Sequence, residues 1–125
     1  MIKAVLLVGT GGFAGSISRF LLATYIDKQL NSIFPYGTLT VNILGCLILG
    51  IIYGLAEKYQ IMTAEIRFML ATGFCGSFTT FSSFSYANHL MLQNQQWSQL
   101  MTYIIGSVVI GLIATIGGIG IGRWV

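Results

Sequence analysis

The chain is poor in charged residues. Six lysines and arginines and three acidic residues make up 7% of its 125 residues, whereas soluble globular domains are about 25% charged. A soluble fold of this size could not cover its surface with so few polar groups. The composition therefore excludes an ordinary soluble domain.

The chain also has few residues of the kinds that build catalytic and metal sites. Its one histidine, His89, and two cysteines, Cys46 and Cys75, make a poor set of metal ligands, and small buried thiols are the simpler interpretation. No nucleophile, base and orienting group come together in the sequence. The net charge of +3 is not clustered, which disfavours nucleic acid as a partner. We therefore expect no enzyme.

Four long apolar runs dominate the chain instead, at residues 4–26, 36–56, 66–92 and 100–122. As a helix, even the shortest run spans roughly 30 Å, the thickness of the hydrocarbon core of a bilayer. Backbone groups in lipid must be satisfied within the segment, so each run should be helical. The sequence predicts an all-α membrane protein with a single domain, residues 1–125, and four transmembrane helices.

Residues at the edges of the runs agree with helix ends. Pro35 directly precedes the second run, where a missing N–H is harmless. Thr63 suits the start of the third helix, with Glu65 in its first turn, and Ser98 suits the start of the fourth. The basic residues Lys3, Lys58, Arg67 and Arg123 fall on the N-terminal side of the membrane and Lys28 on the other. This lean predicts a cytoplasmic N-terminus.

Glycine is abundant, with 16 residues. Three pairs of glycines four residues apart allow close approach of helix backbones. They are Gly11 and Gly15, Gly50 and Gly54, and Gly118 and Gly122. Packing within one four-helix unit explains any single pair. Four helices barely enclose a pore on their own. The spread of small residues over several helices also favours an oligomer.

One glycine-rich stretch has a second interpretation. Residues 5–15 match a dinucleotide-binding fingerprint at Gly9, Gly11 and Ala14. A nucleotide-binding enzyme would need a strand before this motif and a helix after it. Here the apolar run continues through the motif to Ile26, so we disfavour a nucleotide site.

Polar residues inside apolar runs are costly in lipid and point to function. Arg19 either extends to the membrane surface or faces a water-filled vestibule that attracts anions. Asn42 either bonds a neighbouring helix or donates its amide to an anion. Tyr103 and Ser107 share one face of the fourth run. No acidic residue lies at mid-depth, which disfavours a proton or cation relay built from carboxylates.

The third run contains the stretch GFCGSFTTFSSFS, residues 73–85. On a helix, Phe78, Phe81 and Phe84 form one drifting stripe, and hydroxyl residues fill the gaps between them. These hydroxyls cannot all face lipid, so the segment lies within protein or along water. The length of the run, with Gly76 inside it, favours a break, where freed carbonyls suit a small cation. The positive edges of the rings suit an anion.

This stretch resembles the Fluc family of fluoride channels (CrcB proteins), together with Ser18-Arg19 in the first run and TLTVNILGC in the second. The resemblance extends over essentially the whole chain. It implies an antiparallel, dual-topology homodimer in the inner membrane of a bacterium, with the third helix broken mid-membrane. The dimer would hold two pores, each lined by both subunits, that export fluoride passively from the cytoplasm.

The resemblance also implies which residues line each pore. The ring edges of Phe81 and Phe84 and the amide of Asn42 would contact fluoride, Tyr103, Ser107, Ser82 and Thr40 would form a hydroxyl track, and Arg19 would line the vestibule. Some family members carry a further hydroxyl where this chain has Gly111. The far end of the track is therefore open, with Thr115 as a substitute.

A structural sodium ion is a further implication of the resemblance. It would lie at the centre of the dimer, bound by the backbone carbonyls of Gly76 and Thr79 from each subunit. Fluoride, the lipid bilayer and a second copy of the chain are the partners that follow.

Two interpretations from other classes of membrane protein remain. A small multidrug-type exporter is also a dual-topology dimer of four-helix chains, but it needs a membrane-embedded carboxylate. A structural membrane subunit without transport activity predicts that the purified protein is inert in liposomes.

Overall fold

The computed structural model describes residues 1–60 and 62–125, and helices are the only regular elements in these two ranges. The elements are α1 (Ile2–Leu30), α2 (Tyr36–Tyr59), α3 (Ala64–Arg67), a π-helical segment (Phe68–Cys75), α4 (Gly76–Phe78), α5 (Phe81–Gln93) and α6 (Trp97–Trp124). The prediction of an all-α fold is confirmed. Among the described residues, α1, α2 and α6 are each long and apolar enough to cross a membrane, so the protein is a multi-pass membrane protein.

The predicted third span does not form one continuous helix. Thr79 (φ −85°, ψ 156°) and Thr80 (φ −147°, ψ 117°) have extended backbones, and we call these two residues the interruption. Helical residues 64–78 precede the interruption and α5 follows it. Each piece is shorter than a span, which is why three long apolar helices are found where the sequence shows four apolar runs.

The helix ends agree with the sequence in two places out of three. Pro35 precedes α2, and the Oγ1 atom of Thr63 accepts a hydrogen bond from the N–H of Ile66 at 3.3 Å at the start of α3. The prediction for Ser98 is wrong. Helix α6 already begins at Trp97, so Ser98 lies inside its first turn and does not cap it. The residue before the helix, Gln96, makes no side-chain cap hydrogen bond.

A carboxylate from α1 anchors the start of α2. The Oδ1 atom of Asp27 accepts a hydrogen bond from the N–H of Gly37 at 2.9 Å. The first N–H groups of a helix have no partner within the helix, and its N-terminus carries a partial positive charge. One acid therefore satisfies an orphan donor and fixes the turn between two spans.

Helices α2 and α6 pack through glycine against glycine. A Cβ atom at Gly50 would overlap the carbonyl oxygen of Thr115, and one at Gly54 would lie 3.1 Å from the Cα atom of Gly122. A Cβ atom at Gly118 would in turn lie 3.0 Å from the Cα atom of Gly50. These pairs are thus used within one chain, and at these positions glycine gives no argument for an oligomer.

Helix α1 packs on the π-helical segment in the same manner. A Cβ atom at Gly11 would overlap the carbonyl oxygen of Met69, and one at Gly15 that of Phe74. The dinucleotide-like motif, Gly9 to Ala14, lies wholly inside α1. The helix lacks the preceding strand that the motif needs, so the nucleotide interpretation is wrong, and Gly11 of the motif serves helix packing.

Two surface ion pairs lie at one end of the bundle. The Nζ atom of Lys3 is 3.0 Å from Glu65, and the Nε atom of Arg123 donates to Glu57 at 2.8 Å. Both pairs are largely solvent-exposed, so each contributes little to stability. They nevertheless place the basic residues of α1 and α6 on the same side, as the charge distribution predicts.

Candidate functional site

The interruption is held by the side chain of Asn42 on α2. Its Nδ2 atom donates to the carbonyl oxygen of Thr80 at 3.1 Å, and its Oδ1 atom accepts from the N–H of Thr80 at 2.7 Å. A carboxamide has a donor and an acceptor, as a peptide unit does, so one side chain satisfies both backbone groups of Thr80. A second Nδ2 hydrogen is left for another acceptor.

Arg19 on α1 holds the other side of the interruption. Its Nε atom donates to the carbonyl oxygen of Ser77 at 3.0 Å. Ser77 lies in α4, which ends at Phe78, and the last carbonyls of a helix have no partner within the helix. A cation is also favourable at the negative end of a helix dipole. The Arg19 side chain therefore bonds the backbone of the same chain. The sequence had left two alternatives open, extension to the membrane surface or a position in a water-filled vestibule.

Several hydroxyls of residues 79–83 bond locally. The Oγ1 atom of Thr79 donates to the carbonyl oxygen of Cys75 at 3.0 Å. The Oγ1 atom of Thr80 accepts from the N–H of Ser83 at 3.2 Å and caps α5, and it lies 3.2 Å from the Oγ atom of Ser82. Part of the hydroxyl cluster in the sequence is therefore explained by capping at the interruption.

Two carbonyls at the interruption lose their usual helical donors. In a continuous α-helix, Gly76 would accept from the N–H of Thr80, and Thr79 from the N–H of Ser83. The first N–H is donated to Asn42 and the second to the hydroxyl of Thr80. Gly76 and Thr79 are the two residues whose carbonyls would bind the cation according to the family resemblance.

The phenylalanines around the interruption divide into two groups. Phe78 is 4% exposed and stacks on Phe74 with ring centroids 5.6 Å apart, so it belongs to the core. Phe81 is 78% exposed, and its centroid lies 5.8 Å from that of half-buried Phe84. Phe84 in turn packs on Tyr103 at 5.0 Å. The two rings predicted to contact an anion are thus adjacent, and the third is not part of the site.

Two hydroxyls on α6 are buried without a partner. The Oη atom of Tyr103 and the Oγ atom of Ser107, one turn apart, have no hydrogen-bond partner among the described residues. Tyr103 is 1% exposed. A buried polar group that stays unpaired costs about 1–3 kcal/mol. Neither hydroxyl is therefore engaged by the described residues, and each can still donate a hydrogen bond.

A groove of about 390 Å³ runs beside the interruption. Its lining includes six of the predicted site residues: Asn42, Gly76, Thr79, Phe81, Phe84 and Ser107. Thr80 and the thiols of Cys46 and Cys75 also line it. The structure thus brings donors, ring edges and carbonyls from α2, α5, α6 and residues 64–80 to one surface.

The other predicted residues lie around the groove. Tyr103 packs on Phe84, which lines the groove, and Arg19 bonds the backbone of Ser77, which neighbours the lining residue Gly76. Ser82 lines a separate cavity of about 420 Å³, and half-buried Thr40 lines neither. Thr115 donates its hydroxyl to the carbonyl oxygen of Gly111 at 3.1 Å, which engages it with its own helix.

Thr80 and the carbonyl of Ser77 were not predicted as site residues, although Thr80 belongs to the hydroxyl residues of the stretch 73–85. Both take part through backbone atoms, which every residue has, so composition gave no signal for Ser77. For Thr80 the signal was present, since a threonine directly before a helical run is a typical N-cap. In the described residues no group of three or more histidine, cysteine or acidic residues could hold a metal, so a cation here would depend on oxygen atoms of the backbone.

The chain is similar to known proteins over nearly its whole length. Residues 6–119 match the family described as CrcB-like protein, Camphor Resistance (CrcB). A protein of Nitratidesulfovibrio vulgaris (strain DP4) named "Fluoride-specific ion channel FluC" is 43% identical over 119 residues, which are 95% of this chain and 96% of the relative.

Two further relatives carry the same name. That of Phocaeicola vulgatus is 44% identical over 117 residues, 94% of this chain and 96% of the relative. That of Prosthecochloris aestuarii is 42% identical over 121 residues, 97% of this chain and 94% of the relative. Each of these matches covers nearly the full length of this chain and of the relative, and the chain belongs to the CrcB-like family.

Proposed function

We propose that the protein is a fluoride-selective channel that conducts fluoride passively across a bacterial inner membrane and exports it from the cytoplasm. The relatives are named for a channel and not for an enzyme. The observation that carries the proposal is the groove, where the amide of Asn42, the hydroxyl of Ser107 and the rings of Phe81 and Phe84 meet. All four offer positive hydrogens to an anion.

The mechanism follows from the hydration of fluoride. Fluoride is small and holds water tightly, so a pore must replace that water with donors. The free Nδ2 hydrogen of Asn42 and the unpartnered hydroxyls of Tyr103 and Ser107 supply such donors, and ring edges of Phe81 and Phe84 supply a weaker one. Arg19 is engaged with Ser77 through its Nε atom and is not among the residues that line the groove. Donors without a fixed charge bind the ion and still release it.

A second copy of the chain is part of the proposal. The groove is open, and the large ring of Phe81 beside it is 78% exposed. An exposed apolar surface of this kind indicates a partner or lipid, and four spans barely enclose a pore alone. We propose an antiparallel, dual-topology homodimer with two pores, each lined by both subunits. The interruption would then lie mid-membrane, where protein and not lipid satisfies its backbone.

Sodium is the structural ion of this proposal. The residues that would hold it are Gly76 and Thr79, through their carbonyls, from both subunits. Their fit is supported by the diversion of their helical donors to Asn42 and Thr80 and by the preference of small hard cations for oxygen. Such an ion would fix the two interruptions against each other. It would take no part in a chemical step.

Anion efflux from liposomes tests the proposal. Purified protein is reconstituted, and fluoride and chloride release are followed with selective electrodes. We expect fast fluoride release and negligible chloride release. Release of neither ion from liposomes that contain folded protein would refute the channel and favour a structural subunit. Replacing sodium with a large organic cation is expected to slow fluoride release or to dissociate the dimer.

The small multidrug-type exporter has no observation in its favour. All three acids lie near helix ends, where Asp27 binds the start of α2 and Glu57 and Glu65 pair with basic residues. No carboxylate lines the groove in the part of the chain that the structure describes. Proton-coupled uptake of an organic cation by these liposomes would revive that alternative.

A further inference from the structure

Thr80 has an unusual position, because it lies in the groove while its hydroxyl is fully engaged. Its Oγ1 atom accepts from the N–H of Ser83 and donates to the Oγ atom of Ser83, both at 3.2 Å. A threonine hydroxyl has one proton, and here a local side chain takes it. Thr80 is therefore poorly suited to bind a passing ion directly, although it lines the groove.

The effect of this bond falls on the residue before it. Without the hydroxyl of Thr80, the N–H of Ser83 would need another acceptor. The carbonyl of Thr79 is the one that a regular helix would supply. Capture of that carbonyl would make Thr79 the N-cap, extend α5 backwards by one residue and turn the carbonyl oxygen of Thr79 into the helix. The hydroxyl of Thr80 prevents this by occupying the N–H first.

We propose that Thr80 is a positioning residue for the cation site: its hydroxyl engages the N–H of Ser83 and so keeps the carbonyl of Thr79 free to bind a small cation. Asn42 has the corresponding effect on Gly76, because it takes the N–H of Thr80. The inference rests on the sodium site proposed above. It assigns to Thr80 a role that depends on geometry and not on contact with either ion.

An ordinary helix cap is the competing explanation. Thr63 caps α3 in the same way, through the N–H of Ile66 at 3.3 Å. Loss of such a cap costs about 0.5–2 kcal/mol of stability. A cap alone would affect stability and leave cation affinity unchanged. Thr63 is therefore a matched control, since it makes the same bond away from the groove.

The test compares sodium affinity across four variants of the full chain. Purified protein is titrated with sodium chloride at constant ionic strength, with choline as the replacement, and binding is read from ²³Na line broadening and from the rise in melting temperature. The variants are Thr80→Val, Thr80→Ala, Thr80→Ser and Thr63→Val. Two of these remove the hydroxyl at position 80, one keeps it, and one removes a cap elsewhere.

We expect Thr80→Val and Thr80→Ala to weaken sodium binding about tenfold, the effect of losing roughly one hydrogen-bond-strength interaction. Thr80→Ser should bind sodium as the parent does. Thr63→Val should lose melting temperature and keep its sodium affinity. The alanine variant serves if valine, with its branched side chain, prevents folding.

Two results would overturn the inference in distinguishable ways. If the parent protein itself shows no sodium binding, the proposed cation site fails, and the role of Thr80 fails with it. If the parent binds sodium and Thr80→Val or Thr80→Ala binds it equally well while melting lower, Thr80 is a cap and nothing more. Fluoride efflux measured in parallel tells whether the channel function survives either result.

Discussion

The α2–α6 interface and the interruption are two places where backbones approach closely, and they achieve this by opposite means. At the interface, Gly50 and Gly54 face Gly118 and Gly122, so side chains are absent and every backbone group stays in its own helix. At the interruption, backbone groups leave the helix and side chains take their place. The first region gives a rigid wall with no free polar groups, and the second exposes carbonyls and donors beside a groove. Close packing and exposed polar groups are therefore found at different positions of the fold, although α2 and α6 contribute to both.

The largest effect is expected from filling the glycine interface. A side chain at Gly118 would overlap the carbonyl oxygen of Leu47, so Gly118→Val should destabilise the fold by about 3 kcal/mol or more. Gly117→Val is the matched control, because nothing lies within 4 Å of a Cβ atom there. Melting temperature and the yield of monodisperse protein are the measurements. Equal loss in both variants would show that helix propensity, not contact, sets the cost.

The next largest effect is expected at Asn42. Asn42→Ala removes the bonds to both backbone groups of Thr80 and the spare N–H, so fluoride efflux should fall about a hundredfold, the effect of roughly 3 kcal/mol. Asn42→Asp keeps an acceptor for the N–H of Thr80 and loses the donor. It should therefore recover melting temperature relative to alanine but not efflux. Recovery of efflux by aspartate would contradict the role of the amide as a donor to fluoride.

Phe81 and Phe78 are expected to separate conduction from stability. Phe81→Ile removes an exposed ring and should cut fluoride efflux about tenfold or more with little change in melting temperature. Phe78→Ile removes a ring that is 4% exposed and should lower the melting temperature instead. Efflux per folded protein is the quantity to compare. Equal loss of efflux in the two variants would contradict the assignment of Phe78 to the core and of Phe81 to the groove.

A smaller effect is expected from the unpartnered hydroxyl of Tyr103. Tyr103→Phe keeps the ring contacts with Phe84 and Phe34 and removes one buried, unpaired oxygen. We expect efflux to fall several-fold, with stability unchanged or slightly higher. Measurement of both properties on one preparation is decisive. A large fall in stability would mean that the hydroxyl has a protein partner in the dimer.

The smallest effect is expected at the surface. Glu65→Gln breaks the ion pair with Lys3, which is largely exposed, and should change stability by less than about 1 kcal/mol and efflux not at all. The comparison between scaffold and groove would need revision if this variant altered fluoride efflux.

Much of the scaffold could be predicted from sequence, because lipid leaves few alternatives. Apolar runs of sufficient length gave α1, α2 and α6, and Pro35 and Thr63 gave helix starts. Glycine spacing gave surfaces of close approach, but it could not say which helix met which. The prediction from Ser98 failed, because α6 begins at Trp97, one residue before Ser98, and has no side-chain cap. A residue type that is good at capping does not by itself fix where a helix begins.

The residues that line the groove could be predicted only in part from the sequence. The polar residues of the apolar runs were visible as costly exceptions, and six of the predicted site residues line the groove. Their bonds were not visible, because Arg19 and Asn42 act on backbone atoms of Ser77 and Thr80. Hydrogen bonds to backbone leave no trace in the identity of the residue that accepts them.

The two hydrogen bonds between Asn42 and Thr80 have a consequence for how the protein can vary over evolution. In the proposed channel, a residue at position 42 must accept one hydrogen, donate another and keep a third for the ion, and only a carboxamide of the right length does all three. Selection for ion recognition and selection for the path of the chain therefore act on one codon. Lineages that drift in fluoride handling would be expected to change the aromatic and hydroxyl positions first, and to leave this asparagine untouched.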